Sequence, residues 1–145
     1  MEASPGSRDG AELLDRLRSL RLPRGDYAVF GSGPLVVRGI IPASGDLDVL
    51  ARGAAWSRAR ELGPLVALPQ YGVEIVELCG GGITVGTRWG IGTFDADELI
   101  DGAELIGGLP FVRLEHVRRY KQIAQRPKDL AHVAALDAWE RAHPG

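Results

Sequence analysis

The chain of 145 residues carries 17 basic and 19 acidic side chains, a formal charge of −2 with histidines neutral, and is 45% hydrophobic and 25% charged. This is ordinary usage for one globular domain with one core, and it excludes a disordered chain, a fibrous repeat and a general DNA coat. A single cysteine, Cys79, leaves no internal disulfide, three scattered histidines build no structural zinc site, and no apolar run approaches the roughly 18 residues that cross a bilayer.

Residues 1–10 mix Ser, Pro, Gly and opposite charges without periodicity and read as a flexible leader, with 11–145 a single domain. The start lacks the basic and apolar stretches of a signal peptide, so a cytoplasmic protein is expected. From Ala11 to Leu22, Leu13, Leu14, Leu17 and Leu20 recur at helical steps, and Pro23 and Gly25 end the helix. Tyr27 to Phe30 predicts a strand, Gly31-Ser32-Gly33 a turn, and Pro34 the opening of a helix. After the loop Pro42 to Gly45, acid and aliphatic residues alternate from Asp46 to Leu50, a strand with both aspartates on one face. Gly53 to Leu62 predicts a helix with Trp56 and Leu62 inward, stopped by Gly63-Pro64. Val73 to Leu78 and Ile83 to Trp89, joined by Cys79 to Gly82, read as a hairpin. Asp95 to Asp101 predicts a short helix, Ala103 to Ile106 an extended piece, and Gly107 to Pro110 a turn into a helix from Phe111 to Ala124. Pro127 starts a last helix through Trp139, with Leu130, Val133, Ala134 and Leu136 as its apolar side. The order predicts an α/β (α+β) domain in which a small mixed sheet is flanked by helices and ends in C-terminal helices.

Three features carry possible chemistry. Asp46 and Asp48, two residues apart on a strand, place their Cβ atoms about 6–7 Å apart, a spacing that suits shared coordination of a hard cation such as Mg2+. An exposed strand face also carries acids for solubility alone. The Gly31-Ser32-Gly33 turn offers backbone N–H groups to a phosphate, or is a tight connection with Ser32 as the N-cap. Lys121 falls within roughly 20° of Leu114 on a helical wheel, inside the apolar stripe with Val117 and Ala124. Its amine then either snorkels to water or meets an anion such as a nucleotide phosphate. Arg113, Arg118, Arg119, Arg126 and Lys128 join it in a basic segment that is a solvated face or serves a polyphosphate or RNA. His132, on the side of the last helix away from Leu130, reads as a surface histidine.

Phe30-Gly31-Ser32-Gly33, Arg38-Gly39 and Gly45-Asp46-Leu47-Asp48-Val49-Leu50 resemble the signature of the polymerase-β-type nucleotidyltransferase superfamily, a Gly-Ser turn followed by an acid-hydrophobic-acid strand. Ile106-Gly107-Gly108-Leu109-Pro110, Leu114, Lys121 and Arg126-Pro127-Lys128-Asp129-Leu130 resemble the tail of its small stand-alone members. The resemblance implies Gly31 and Ser32 on the triphosphate, Asp46 and Asp48 on magnesium, and Lys121 near the phosphates. It also implies a third carboxylate on a later strand. If that strand is Ile83-Thr84-Val85, its position holds Thr84, which is no carboxylate; if it is Val73 to Leu78, Glu74 or Glu77 qualifies, both flanked by aliphatic residues. The Gly31-to-Asp46 interval is longer than the pattern, an excess the Pro42 to Gly45 loop absorbs.

The implied reaction moves a nucleoside monophosphate from a nucleoside triphosphate, such as ATP, to a small molecule, a protein side chain or an RNA end, releasing pyrophosphate. No membrane is involved, and the small size favours a homodimer or a partner protein. The alternative is a nucleotide-binding, antitoxin-like or regulatory protein of the same fold without transfer activity.

Overall fold

The computed structural model describes residues 5–43, 45–88 and 94–144. In chain order they form α1 (Pro5–Leu20), β1 (Tyr27–Phe30), α2 (Gly33–Val36), β2 (Leu47–Ala51), α3 (Gly53–Leu62), β3 (Leu65–Leu68), β4 (Val73–Leu78) and β5 (Ile83–Gly86). There follow α4 (Ala96–Asp101), β6 (Glu104–Ile106), β7 (Leu109–Phe111), α5 (Leu114–Ala124) and α6 (Pro127–Ala142). The first turns of α1 thus fall in the stretch read as a leader. None of these helices is long and apolar enough to cross a membrane.

Among the described residues the strands make one mixed sheet in the order β3-β4-β5-β2-β1-β7-β6. The centre is β2, antiparallel to β1 and parallel to β5. The expected hairpin is β4 and β5, with Val76 opposite Val85 and Glu77 opposite Thr84; Trp89, at the end of its second arm, lies outside the described residues. Strand alternation gives the sheet two apolar faces. Val29, Val49, Val85 and Val76 stand side by side and pack under Leu13 and Leu17 of α1 and Ala55 and Ala59 of α3. The other face buries Ala28, Phe30 and Leu50 against Leu35 of α2, Leu99 and Ile100 of α4, Val117 and Tyr120 of α5 and Leu136 of α6. Each fully buried aliphatic or aromatic side chain contributes about 1.5–3 kcal/mol. Tyr120 also meets Phe30 edge-on, ring centroids 4.8 Å apart, which fixes α5 over the end of β1.

The expected turn into a helix at Phe111 is instead a strand. Phe111 pairs with Val29 in parallel, and the Val112 N–H donates to the Val29 carbonyl at 2.9 Å, so α5 begins only at Leu114. The chain gains more by burying Leu109, Phe111 and Val112 in the sheet than by starting the helix early. Leu62 is not buried as expected; it is the last residue of α3, before Gly63, and is 40% exposed. In α6, Leu130 is 56% exposed and Ala134 is exposed, while Asp129 and Leu136 are buried. The inward stripe therefore runs Asp129, His132, Val133, Leu136, Trp139, a regular helical spacing displaced from the one centred on Leu130.

Candidate functional site

The polar end of the second face lies where β1 finishes and β2 begins. Gly31 follows β1 at φ 63°, a left-handed conformation that only glycine adopts without strain, and a Cβ built there would stand 2.6 Å from Asp48 Oδ2. The turn and the acid strand are thus in direct contact, a closeness that follows from Phe30 pairing with Asp48 across β1 and β2. Ser32 sits at the N-cap of α2, but its side chain makes no capping hydrogen bond; its carbonyl accepts from Leu35 and Val36 at 3.0 Å each. The hydroxyl is turned to other partners. Since α2 has only four residues, it adds little macrodipole, and whatever the turn offers an anion comes from its N–H groups and the hydroxyl.

Asp46 is exposed just ahead of β2, and Asp48 is partly buried within it. Burial first, and then the charge of Asp46, push the Asp48 carboxyl up to about 6, against the opposing pull of Lys128, Lys121 and Arg126. The two acids therefore sense one another, and three cations act on Asp48. The strand beside β2 on its other edge is β5, which places Thr84 next to Asp48, and Glu77 of β4 next to Thr84. Asp48, Thr84 and Glu77 share one face in a lateral row, with Glu77 about 10 Å from Asp48 at the Cα atoms by the usual strand spacing. Glu74 is three residues from Glu77 and faces the opposite side with Val76. Among the described residues no three His, Cys, Asp or Glu side chains gather closely enough to hold a metal ion together.

Lys121 points inward, as its place on the wheel requires, and is 2% exposed. Its Nζ donates to Ser32 Oγ at 3.1 Å and to Asp129 Oδ1 at 3.4 Å. Asp129 is fully buried. It accepts from Arg126 Nε at 2.6 Å, from the second guanidinium nitrogen at 3.2 Å and from the Arg126 backbone N–H at 3.2 Å. Burial alone would raise the Asp129 carboxyl, but the Arg126 hydrogen bond and the charges of Arg126 and Lys121 hold it below its ordinary range. Burial draws the Lys121 ammonium below its ordinary value, with Asp129 pulling the other way. His132 is half-buried, its Nδ1 3.4 Å from Ser32 Oγ, and is not the surface histidine expected.

The basic segment divides. Arg118 is engaged by Asp137 and Glu140, Arg113 donates to the Gly102 carbonyl at 2.7 Å, and Arg119 lies 5.7 Å from the Phe94 ring centroid. These three serve the fold, while Lys121, Arg126 and Lys128 set the field at Asp48. Arg38, part of the motif block, is likewise structural, donating to the Pro34 carbonyl and to Glu104 at 2.7 Å each.

Sequence reasoning passed over Asp129 and His132 as members of this cluster. A signal for Asp129 was present: it is the third residue after the N-cap Arg126, where an acid can accept the N-cap backbone N–H, and Asp129 Oδ2 does so at 3.2 Å. A cavity of about 400 Å³ lined by Glu12, Leu13, Arg16, Gly45, Cys79, Gly80 and Gly82 lies on the α1 side of the sheet and is separate from the Ser32 cluster.

No protein-family model matches the sequence, and no curated protein matches it. Among solved structures, the chain is similar to that of a candidate nucleotidyltransferase from Thermotoga maritima, with a TM-score of 0.52 and 14% identity over 92% of this chain and 95% of that one. At that identity the likeness is one of fold, and it extends over nearly the whole of both chains: the architecture is nucleotidyltransferase-like.

Proposed function

We propose that this chain binds a nucleoside triphosphate with Mg2+ and transfers its nucleoside monophosphate to an acceptor hydroxyl, releasing pyrophosphate. The observation that carries the reading is the contact of the Gly31 turn with Asp48, with the buried Lys121 amine bonded to Ser32 behind it. This puts a glycine turn, a buried ammonium and a pair of acids at one end of the sheet.

The donor set fits a hard cation: Asp46 and Asp48 offer carboxylate oxygens, and a carboxyl raised by burial and by its neighbour's charge is one that a divalent ion would return to the ionised form. Asp46 and Asp48 would hold the magnesium, which when bound supplies charge neutralisation at the phosphoryl oxygens. The chain's own work is positioning. The Gly31–Gly33 turn and Ser32 hold the phosphates, Lys121 adds a fixed positive charge beneath them, and Lys128 and Arg126 extend that field. Glu77 is the third-carboxylate candidate that register leaves on the face of Asp48; Glu74 is on the wrong one. A nucleoside triphosphate, an acceptor with a free hydroxyl and a partner chain that completes the cleft belong to this reading.

Thr84 favours a second reading. It occupies the strand position next to Asp48 and supplies no carboxylate, which impairs activation of an acceptor more than nucleotide binding. On that reading the protein binds nucleotide and regulates a partner. One experiment separates the two: pyrophosphate release from each nucleoside triphosphate with Mg2+, run beside calorimetric nucleotide binding. Binding and release that both vanish in the Asp46→Asn, Asp48→Asn double variant support transfer, and binding without release supports the second reading. Turnover unchanged in the double variant overturns the site.

A further inference from the structure

The Ser32 hydroxyl has two neighbours of different kinds. The Lys121 ammonium can only donate, so at 3.1 Å it makes Ser32 Oγ an acceptor. On the other side stands His132 Nδ1 at 3.4 Å. An imidazole nitrogen accepts when bare and donates when protonated, and a hydroxyl has one proton to give. With Nδ1 bare, the Ser32 proton is directed to the ring and is withheld from an anion in the turn. With Nδ1 protonated, both neighbours donate to Oγ and the Ser32 proton is turned outward, toward whatever acceptor enters.

We propose that His132 is a positioning residue for Ser32: a phosphate entering the Gly31–Gly33 turn is held with a proton on His132 Nδ1, and its binding takes up that proton. This rests on the reading of the turn as the triphosphate site and adds to it a residue and a proton linkage. No covalent step is involved. The proton comes from solvent, and the hydrogen bond that breaks, Ser32 to the ring, is replaced by one from the ring to Ser32 and one from Ser32 to a phosphate oxygen.

The groups facing His132 are Ser32 from the turn, Lys121 from α5, and Arg126, Lys128 and Asp129 from the start of α6. Burial, and then the charge of Lys121, hold the imidazole below its ordinary range, with Asp129 opposing and Lys128 and Arg126 adding to the effect. This favours a neutral ring in the free protein, and in its Nε2–H tautomer Nδ1 is bare and accepts from Ser32. A polyphosphate arriving among these cations offsets their field and makes the protonated ring favourable. A 3.4 Å contact is weak as hydrogen bonds go, so redirecting the hydroxyl costs little. Linkage is reciprocal: if the anion favours the proton, the proton favours the anion.

The test is 15N and 13C NMR of the imidazoles in the full chain, His132 being identified by the resonances lost in His132→Asn, with inorganic triphosphate and MgATP as probes. The expected result is a bare Nδ1 in the free protein and a titration midpoint raised by about one pH unit or more on adding either probe, a tenfold gain in proton affinity. Ser32→Ala, which removes the hydroxyl as both donor and acceptor, is expected to shift the midpoint in the free protein and to reduce the response to the probe. Amide shifts at Gly31–Gly33 that report bound triphosphate while His132 titrates unchanged overturn this inference and leave the phosphate site standing. A Ser32→Ala protein whose His132 titrates as in the wild type overturns it without any ligand. No triphosphate binding at all removes the underlying reading and this inference with it.

Discussion

Asp129→Asn removes the carboxylate charge beneath Lys121 and keeps its shape. The ammonium is then left 2% exposed with no counter-charge from that side chain, in a fold that buries both groups almost completely. Orphaning one partner of a buried pair costs about 3–5 kcal/mol. For a chain of this length that lowers Tm by about 10–15 °C. Lys121→Met is expected to cost less, about 1–2 kcal/mol, because Asp129 retains the Arg126 Nε at 2.6 Å and the Arg126 backbone N–H at 3.2 Å. The double variant has no orphaned cation, and should be more stable than Asp129→Asn alone, with a coupling of at least about 2 kcal/mol between the sites. Urea denaturation of the four proteins measures it. The pH gives an independent check of sign. A lysine whose folded pKa lies below its unfolded value binds fewer protons in the fold, so stability rises with pH toward the unfolded value. The deficit of Asp129→Asn should therefore be smaller at pH 9.5 than at pH 7. An Asp129→Asn protein within about 0.5 kcal/mol of the wild type, or single effects that add within that margin, would refute the reasoning.

Gly31→Ala puts a Cβ 2.6 Å from Asp48 Oδ2 at φ 63°; a loss of about 1–2 kcal/mol is expected from the left-handed backbone alone, with weaker Mg2+ binding by calorimetry as Asp48 is displaced, and an unchanged urea midpoint would show that the turn relaxes freely. The Asp48 carboxyl, held at about 6 against an ordinary 3.8, takes up a proton more readily in the fold. Its contribution to stability is therefore present below about pH 4 and lost as pH rises through about 6, by at most about 3 kcal/mol. Asp48→Asn should remove that slope between urea midpoints at pH 4.5 and 7, Mg2+ binding to the wild type should weaken as pH falls through 6, and a slope that persists in the variant counts against the assignment. Thr84→Asp adds a carboxylate beside Asp48 on the same face; it should tighten Mn2+ or Mg2+ binding by at least about tenfold, and an affinity no higher than wild type would show that the row does not converge on one cation.

The parts of the fold that sequence made legible are those where periodicity and punctuation agree. The period-two alternation around Leu47 and Val49, the hairpin on either side of Cys79 to Gly82, and Gly53 and Gly63 bounding α3 all encode a local choice that the tertiary structure does not override. Lys121 was legible for the same reason, since its angle on α5 is fixed by neighbours in the same helix. What failed depended on partners far along the chain. Leu109 to Phe111 pairs locally with β6 but joins the central strands through β1, about 80 residues earlier, a pairing that no local propensity reports. In α6 the face was set by taking Leu130 as the inward anchor, since an apolar residue is ordinarily the safer choice over an aspartate. Once Lys121 is buried that preference reverses: its charge needs a partner, Asp129 takes the inward place, and the helix turns until Leu130 faces water and His132 faces Ser32. The missed residues thus follow from a residue that was read correctly.

That reversal bears on function as well as on prediction. A buried ammonium and carboxylate lose much hydration, and well-packed apolar residues in their place would often leave a fold as stable or more so. Stability alone therefore does not account for Lys121 and Asp129. Their arrangement places the ammonium under one hydroxyl, Ser32 Oγ, at the end of β1, with Arg126 fixing the far side of the carboxylate. A surface lysine would reach the same hydroxyl only by ordering a long, mobile side chain for each ligand. A lysine locked by burial and by Asp129 meets the ligand with that cost already met in folding, and it presents its charge from a medium that screens it less than water does. This preorganisation suits the phosphate-gripping role proposed for the Gly31–Gly33 turn. The Lys121–Asp129 pair therefore supports that proposal independently of the acids beside it.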